Sequence, residues 1–327
     1  MVRTLNVGFV GAGGNALAHI GQVSRIPDTQ IVGICDVVKD RTEKATRQYG
    51  GKPYTDYHKL IDRENMDALY VSIPPFAHGE VEILAAHKGL HLFIEKPVAL
   101  TMHTGLEVCE AIEEAGVISC VGYQLRYAET VDRAKQFLED KTVAMVTSNR
   151  WGDIPPTPWW RVMAQSGGQL VEQTTHQVDM IRCLAGEIEA VYSVSALRTA
   201  THLEHMDIPD VQALTFQFES GAVGSLTTTC ALNRGGGYSD LNIIVKDAVL
   251  HWNHDSLSTT PQEAGNFGNN FAPLPSIDAL FINAVRTNDP SQIRSPYRDA
   301  LRTLDVTLAA NQSAEQGKPV ATYFSHH

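Results

Sequence analysis

The architecture of the first part of this chain follows from twelve residues near its start, Leu5-Asn6-Val7-Gly8-Phe9-Val10-Gly11-Ala12-Gly13-Gly14-Asn15-Ala16. Residues 5–10 are mostly apolar and predict a buried strand, whereas residues 17–26 are patterned as a helix. The G-x-G-x-x-A between them permits a tight turn and a close approach of the backbone to a pyrophosphate. Because a helix N-terminus offers free amides and a positive dipole end, this stretch predicts a dinucleotide-binding unit.

A second apolar run, residues 30–35, ends in Asp36, about 20 residues beyond the glycines. A carboxylate there can accept hydrogen bonds from ribose hydroxyls and repel a 2′-phosphate, which favours NAD. Lys39 and Arg41 lie close enough in sequence to soften this preference, so NADP stays open. The alternative for Asp36 is a helix cap at the strand end. The cofactor contacts predicted in this region are Gly11, Gly13, Gly14, Asn15, Ala16, Asp36 and Arg41.

Strands and helices continue to alternate as far as residue 121, which predicts a doubly wound parallel sheet. Ligands bind to such sheets at the carboxyl ends of the strands. Two of these ends carry distinctive residues, which we expect to face the cofactor. They are Ser72, Ile73, Pro74 and His78 in one loop, and Glu95, Lys96 and Pro97 in the other.

Beyond residue 123 the parallel pattern stops, and long alternating runs predict an antiparallel sheet. The expected fold is therefore α/β, with a Rossmann domain over residues 1–122 and an α+β domain with a large, mainly antiparallel sheet over residues 123–327. Helical spacing also predicts one continuous helix over residues 169–185. The last helical stretches, 277–286 and 297–315, are interpreted as structural.

One face of the helix predicted over residues 169–185 carries Glu172, His176, Asp179 and Cys183 opposite an apolar face. Glu172 and His176 are candidates for proton chemistry, since histidine titrates near neutral pH. The alternative is an ordinary i, i+4 pair on a solvated face. A metal site is disfavoured because no second segment offers further ligands at recognisable spacing.

The loop over residues 151–161 is stiffened by prolines and carries three of the four tryptophans. Aromatic faces and a guanidinium can bind a polyhydroxylated ring by stacking and hydrogen bonding. The alternative is that the tryptophans anchor the loop to the core. The candidates for substrate binding in this loop are Trp151, Trp159, Trp160 and Arg161.

The composition restricts the class of protein. Hydrophobic residues make up 43% of the 327-residue chain and charged residues 19%, as in globular domains. A net charge of −11 argues against nucleic acid or an anionic membrane as the main partner. Five scattered cysteines indicate neither a disulfide framework nor a zinc ribbon. With no apolar leader or membrane-length run, we expect a cytoplasmic protein with a small-molecule partner.

These motifs together resemble the glucose–fructose oxidoreductase/inositol dehydrogenase (Gfo/Idh/MocA) family. The matching features span most of the chain in the expected order: Gly11-x-Gly13-x-x-Ala16, Asp36, Ser72-x-Pro74-x-x-x-His78, Glu95-Lys96-Pro97, Gly122-x-x-x-Arg126-Tyr127, and Gly167-Gly168 followed by His176 and Asp179. The resemblance implies a dehydrogenase that transfers hydride between NAD(P) and a secondary hydroxyl of a sugar, cyclitol or polyol. It also implies a homodimer or homotetramer formed through the open sheet.

The resemblance further implies which residues act on the substrate. Lys96, His176 and an acid four residues before that histidine would meet at the nicotinamide, and the Lys96–Pro97 bond would be cis. The acid here is Glu172, whereas Asp is more usual, so the carboxylate is displaced by about one methylene. Arg126 and Tyr127 are further substrate-binding candidates.

Two other classes of function stay open on sequence grounds. One is a cofactor-bound sensor or scaffold without turnover, for which Glu172 is the only hint. The other is a lyase or hydrolase that uses tightly held NAD transiently.

Overall fold

The computed structural model describes residues 3–232, 236–267, 271–272 and 274–325, which fold into two compact units. One unit comprises Met1–Gln124 and Pro275–Leu301, and the other comprises Leu125–Leu274 and Arg302–His327. The first boundary lies close to the predicted one. The second domain, predicted as the single segment 123–327, is corrected: residues 275–301 return to the first unit, where Asp278 hydrogen-bonds to His19.

The first unit is built on a six-stranded parallel sheet. Its strands are β1 Leu5–Val10, β2 Thr29–Cys35, β3 Lys52–Tyr54, β4 Ala68–Val71, β5 His91–Ile94 and β6 Ser119–Val121. They lie side by side in the order β3-β2-β1-β4-β5-β6. Every neighbouring pair is parallel, which confirms the doubly wound prediction. The carboxyl ends of the strands therefore meet at one edge.

Five helices alternate with these strands. They are α1 Gly14–Val23, α2 Lys39–Tyr49, α3 Tyr57–Arg63, α4 Glu80–His87 and α5 Met102–Ala115. On α1, Ala16, Ile20 and Val23 are buried at helical spacing, so one face packs inward while the rest meets solvent. The N-terminus of α5 is capped by Thr101, whose hydroxyl accepts the N–H of Thr104 at 3.1 Å.

The second unit contains an eight-stranded sheet. Its strands are β7 Val143–Trp151, β8 Ile188–Ala196, β9 Val211–Phe218, β10 Val223–Thr229, β11 Tyr238–Val245, β12 Ala248–Asn253, β13 Ser256–Thr260 and β14 Val320–Ala321. They lie in the order β13-β12-β11-β7-β10-β9-β8-β14. All neighbours are antiparallel except β7 and β10, which agrees with the predicted mainly antiparallel sheet. Alternate residues of β9 and β10, among them Leu214, Phe216 and Leu226, are buried in a core shared with apolar residues of the helices, and the residues between them lie on the opposite, more open face.

The remaining helices are α6 Glu129–Leu138, α7 Met163–Ser166, α8 Gly168–Glu172, α9 Thr175–Ala185, α10 Ile277–Thr287 and α11 Tyr297–Gln316. Val178 and Ile181 of α9 are fully buried in the same core as Val146 of β7 and Leu226 of β10. This packing holds α9 on the covered face of the second sheet.

The continuous helix predicted over residues 169–185 is wrong, because the chain breaks between α8 and α9. The N–H groups of Gln173 and Thr174 both donate to the carbonyl of Gln169, so the regular i, i−4 ladder stops there. The hydroxyl of Thr174 instead bonds with that of Thr228 on β10, at 2.6 Å. A tertiary contact therefore lies at the break between α8 and α9, and helical spacing could not reveal it.

Within the part of the chain that the structure describes, no helix combines the length and the apolar character needed to cross a membrane. All five cysteines are in the described ranges, and each carries a free thiol.

Candidate active site

The glycine loop forms a tight turn at the carboxyl end of β1. Gly11 has a φ of +107°, and a Cβ there would lie 2.0 Å from the carbonyl oxygen of Ser72, so only glycine fits. Around Gly13 and Gly14, by contrast, an added Cβ would meet no atom within 4 Å. The start of α1 also carries no side-chain cap. The loop therefore leaves open space beside the uncapped amides of a helix, which fits a pyrophosphate.

Asp36 follows β2 and is fixed by the backbone on both sides. Its Oδ2 accepts the N–H of Ala12 at 2.8 Å, and its Oδ1 accepts the N–H of Val38 at 2.8 Å. The guanidinium of Arg41 lies 3.9 Å from the carboxylate. Val37, the residue directly after Asp36, is 90% exposed. It adds an apolar surface that was not predicted. The carboxylate and this surface lie at the same edge of the sheet as the glycine loop.

The loop after β4 is held by a buried pair. His78 Nδ1 lies 2.5 Å from Glu82 Oε1, and Glu82 Oε2 accepts the N–H of Gly79 at 2.7 Å. The His78 side chain is fully enclosed. The side chain thus anchors the loop, and its predicted cofactor contact stays a prediction. Ser72, Ile73 and Pro74 are half-buried, and their predicted cofactor contacts stay predictions.

Glu95-Lys96-Pro97 follows β5, and the Lys96–Pro97 bond is cis, as the resemblance implied. Lys96 is half-buried and Pro97 is buried. Glu95 is buried as well, and its carboxylate hydrogen-bonds to His19 Nε2 at 2.9 Å. Glu95 thus serves as an internal support directly before the candidate lysine.

In the second unit, Glu172 ends α8 and is half-buried. Its Oε2 accepts a hydrogen bond of 2.7 Å from the indole Nε1 of Trp160. This donor fixes one oxygen of the carboxylate, and a hydrogen bond to a charged acceptor is stronger than one between neutral groups. The longer side chain of Glu, compared with the more usual Asp, is therefore matched by a specific partner.

His176 lies in the first turn of α9 and is half-buried. The residues around it are tied to the sheet, Thr174 through Thr228 and Gln177 through the hydroxyl of Ser148 at 2.8 Å. Since both flanking contacts are buried, the backbone that carries the imidazole is held rigidly. Glu172 and His176 thus belong to two short helices joined at a fixed break.

Arg126 and Asp179 form a buried bidentate pair. Arg126 Nε donates to Asp179 Oδ2 at 2.8 Å, and its Nη2 donates to Oδ1 at 2.7 Å. The hydroxyl of Thr303 also donates to this carboxylate, at 3.0 Å. The arginine is 6% exposed and Tyr127 is likewise 6% exposed. This pair gives Arg126 a structural task, and its contact with substrate, like that of Tyr127, stays a prediction.

The three tryptophans of the loop have different surroundings. Trp151 ends β7 and donates to the hydroxyl of Thr227 on the open face of the sheet, at 2.9 Å. His176 belongs to α9, whose Gln177 contacts the opposite, covered face through Ser148. Strand alternation therefore places the side chain of Trp151 on the face opposite to the one that Gln177 contacts, and its contact with substrate stays a prediction.

Trp160 is 1% exposed in a small cluster with Ala200, Met206, Ile208 and Cys230. Because its indole is buried, a sugar ring cannot stack on it. Trp160 therefore anchors the loop, as the alternative interpretation proposed. Trp159 and Arg161 are half-buried and remain substrate-binding candidates.

His19 and Asp278 were not among the predicted site residues, although His19 contacts both Asp278 and Glu95 in the first unit. His19 had a weak signal, a titratable residue directly before the buried Ile20 of α1. Asp278 had none, because it lies 259 positions from His19 along the chain. Among the described residues, no group of three or more His, Cys, Asp or Glu side chains is arranged to hold a metal ion.

The parallel sheet, the open glycine loop and the fixed acid after β2 define a dinucleotide-binding protein with a second, sheet-containing unit. Residues 5–123 match a family model described as an oxidoreductase family with an NAD-binding Rossmann fold. Residues 133–247 match the Gfo/Idh/MocA C-terminal domain. The chain belongs to the Gfo/Idh/MocA family of oxidoreductases, and its cofactor is NAD.

Known relatives show what this family includes. The scyllo-inositol 2-dehydrogenase (NAD(+)) of Bacillus subtilis is 28% identical over 320 residues, 91% of this chain and 90% of that protein. The 2,7-anhydro-N-acetylneuraminate hydratase of Mediterraneibacter gnavus is 28% identical over 57% of this chain and 50% of its own length. The WlbA dehydrogenase of Bordetella pertussis, solved with NADH and UDP-GlcNAcA, shares the fold at a TM-score of 0.83 and 24% identity, covering 98% of this chain and 99% of that chain.

Proposed function

We propose that this protein is an NAD-dependent dehydrogenase that oxidises a secondary hydroxyl of a sugar, cyclitol or related polyol. The observation that carries the proposal is the presence, in one chain, of a lysine directly after a buried, hydrogen-bonded glutamate and of a histidine on an anchored helix, four residues after a carboxylate that is fixed by an indole. A base and an oxygen-polarising cation are the groups that alcohol oxidation requires.

The mechanism assigns one task to each side chain. NAD supplies the hydride acceptor when bound. His176 accepts the hydroxyl proton, because histidine exchanges protons near neutral pH. Lys96 donates a hydrogen bond to the reacting oxygen and stabilises the negative charge that develops there. Glu172, restrained by Trp160, orients the proton acceptor and stabilises its charged form.

The cofactor is held by the glycine loop and the end of β2. The uncapped amides at the start of α1 bind the pyrophosphate, and the carboxylate of Asp36 accepts hydrogen bonds from the ribose hydroxyls. Val37, exposed beside Asp36, offers an apolar surface to the adenine ring. Arg41 is near enough to Asp36 to reduce its repulsion of a 2′-phosphate, so some NADP binding is expected.

A lyase or hydratase reaction with transient oxidation is the second candidate, and the relationship to a hydratase supports it. Such an enzyme would return the hydride to the product and release no NADH. A dehydrogenase releases one NADH for each substrate oxidised. The two reactions therefore differ in net cofactor reduction, whatever the substrate.

An assay across sugars, inositols and sugar acids tests the function. Formation of NADH, followed by its absorbance, should match the loss of one substrate mole for mole in the wild-type chain and vanish in His176→Asn. Product formed without net NADH would establish the lyase or hydratase alternative. NAD binding with no chemistry across the panel would favour a sensor.

We also propose that the open face of the eight-stranded sheet binds a second copy of this chain. Three apolar side chains of this sheet support the proposal: Met145 on β7, Val223 on the neighbouring β10 and Val194 on β8, at 44%, 48% and 53% exposure. Large exposed apolar surfaces usually mark interfaces. Sedimentation of the wild-type chain should give a dimer or tetramer, and Val194→Asp with Val223→Asp should give a monomer.

A further inference from the structure

His19, on α1, bridges two acidic side chains from distant parts of the first unit. Its Nδ1 lies 2.7 Å from Asp278 Oδ1, and its Nε2 lies 2.9 Å from Glu95 Oε1. The side chains of His19, Glu95 and Asp278 are only 14%, 9% and 5% exposed. We call these three residues the acid–imidazole cluster.

The contacts define the protonation state of the ring. A carboxylate only accepts hydrogen bonds, so a ring with a carboxylate at each nitrogen must donate from both and be an imidazolium. Burial alone would lower the pKa of His19, but the hydrogen bonds to Asp278 and Glu95 outweigh it and raise the pKa to about 10. The cluster therefore holds an imidazolium between two acidic side chains at neutral pH.

The other groups that face the imidazole are aromatic. Its ring centroid lies 4.7 Å from that of Phe93 on β5 and 5.9 Å from that of Tyr70 on β4. Burial raises the pKa of Tyr70 well above its ordinary value, so this phenol stays neutral. The ionisable groups that pair with His19 are thus Glu95, after β5, and Asp278, on α10. An apolar wall strengthens their interaction, because it keeps water away from the charges.

Glu95 connects the cluster to Lys96. Its N–H donates to the carbonyl of Val71 at 2.8 Å, which fixes the backbone directly before the lysine. Its carboxylate occupies the space beside Gly122, where an added Cβ would lie 2.4 Å from Oε1. The carboxylate is therefore held by Gly122 on one side and by His19 on the other.

We propose that His19 is a positioning residue for Lys96: it holds Glu95, the residue directly before that lysine, in place by pairing with both acidic side chains of the cluster. This inference rests on the proposed function for the role of Lys96 in turnover. Without the imidazolium, two carboxylates would repel each other, and the segment that carries Lys96 would relax.

The test compares His19→Gln, Asp278→Asn and the double variant. In His19→Gln the amide can donate to only one carboxylate, and its oxygen faces the other. In the double variant the new amide at position 19 can donate to Glu95 and accept from the new amide at position 278. The double variant therefore restores both hydrogen bonds and the single net negative charge of the cluster.

We expect His19→Gln to lower kcat by about 10-fold, with the Kd for NAD within about twofold of wild type, and the double variant to recover most of kcat.

Lys88→Gln is the matched control, because it breaks an exposed ion pair of the same unit, with Asp62 at 2.9 Å. It should change neither constant. Equal losses of kcat and NAD affinity in His19→Gln, or a double variant as slow as the single one, would overturn the proposal. If His19→Gln does not fold, the double variant must fold and turn over, and its failure would refute the proposal as well.

A second measurement needs neither cofactor nor substrate. The ¹⁵N spectrum of the cofactor-free chain, with the His19 signals assigned by their loss in His19→Gln, should show both ring nitrogens protonated from pH 6 to pH 9. A ring protonated on one nitrogen at pH 8 would overturn the proposal. A wild-type chain that reduces no NAD would instead refute the proposed function and leave this spectrum interpretable.

Discussion

The indole Nε1 of Trp160 donates a 2.7 Å hydrogen bond to Oε2 of Glu172. One partner is a fully buried loop residue and the other ends a short helix. The contact replaces the stacking role expected for this tryptophan with control over the position of a candidate catalytic carboxylate. Trp160→Phe should therefore lower kcat by about 10-fold and leave NAD affinity unchanged. When it is combined with Glu172→Gln, the fold-loss of kcat should be smaller than the product of the two single fold-losses.

Trp252→Phe is the control for that experiment. This tryptophan is also buried in the second unit and donates to the hydroxyl of Thr130 at 3.2 Å. The Trp252→Phe variant should lose as much free energy of unfolding as Trp160→Phe but keep the kcat of the wild type. Similar losses of kcat in both variants would show that Trp160 acts through stability alone.

Binding and turnover should separate at Lys96 and His176. Lys96→Ala and His176→Ala should each lower turnover by about 10²- to 10⁴-fold, the usual range for a lost acid–base group. Both variants should still bind NAD, because the glycine loop and Asp36 hold it. The loss of turnover in the double variant should be far smaller than the product of the single losses, since both side chains are proposed to act on the same reacting hydroxyl in one chemical step. Near-normal turnover of His176→Ala across pH 6 to 10 would assign the base to another residue.

The carboxylate of Asp36 should set the cofactor preference. Asp36→Ser should weaken NAD binding and reduce the ratio of NAD to NADP affinity by about 10-fold or more, because the repulsion of a 2′-phosphate is removed. Asp36→Asn retains one acceptor oxygen for the backbone amides and isolates the effect of charge. Fluorescence titration of both cofactors measures the ratio. Asp40→Asn, an exposed acid at the start of α2, should leave it unchanged.

The buried pair of Arg126 and Asp179 should support the fold of the second unit. Asp179→Asn should lower the free energy of unfolding by about 3–5 kcal/mol, because it leaves a buried guanidinium without its counter-charge. Urea denaturation measures this loss. Lys39→Gln, which breaks an exposed pair with Glu43, should cost less than about 1 kcal/mol. If Asp179→Asn lowers the free energy of unfolding only slightly but raises the substrate KM strongly, Arg126 would be assigned to substrate binding.

Asp210 should make stability depend on pH in the acid range. Burial would raise the pKa of its carboxyl, but hydrogen bonds from Thr199 and from the N–H groups of residues 198–200 outweigh it and hold the pKa below the ordinary value. A lowered folded-state pKa gives stability that is full above the ordinary pKa and is lost as pH falls through the folded one. The stability gap between wild type and Asp210→Asn should therefore be constant from pH 8 to 5 and narrow below about pH 4. Asp255→Asn, at a fully solvated carboxylate, should show no such gap.

The first unit could be predicted from sequence to within a few residues at most strand and helix ends. Its signals are local: the glycine turn stands between a strand and a helix, and Asp36 directly follows the next strand. The short β3 and α3, which carry little apolar periodicity, were not predicted. The assignment of residues 275–301 to the first unit was not predicted, because nothing in the sequence of α10 indicates which unit its buried face contacts.

Sequence alone determined the class of fold and an NAD-binding first unit, since glycine turns and strand alternation are properties of neighbouring residues, and the family resemblance supplied Lys96, Glu172 and His176 as candidates. The tertiary structure decided which partner each side chain has. Trp160 meets Glu172, Arg126 meets Asp179, and His19 meets both Glu95 and Asp278. Each of these contacts forms only after helices and strands have packed, because the free energy of burying a polar group depends on the partner that packing brings to it.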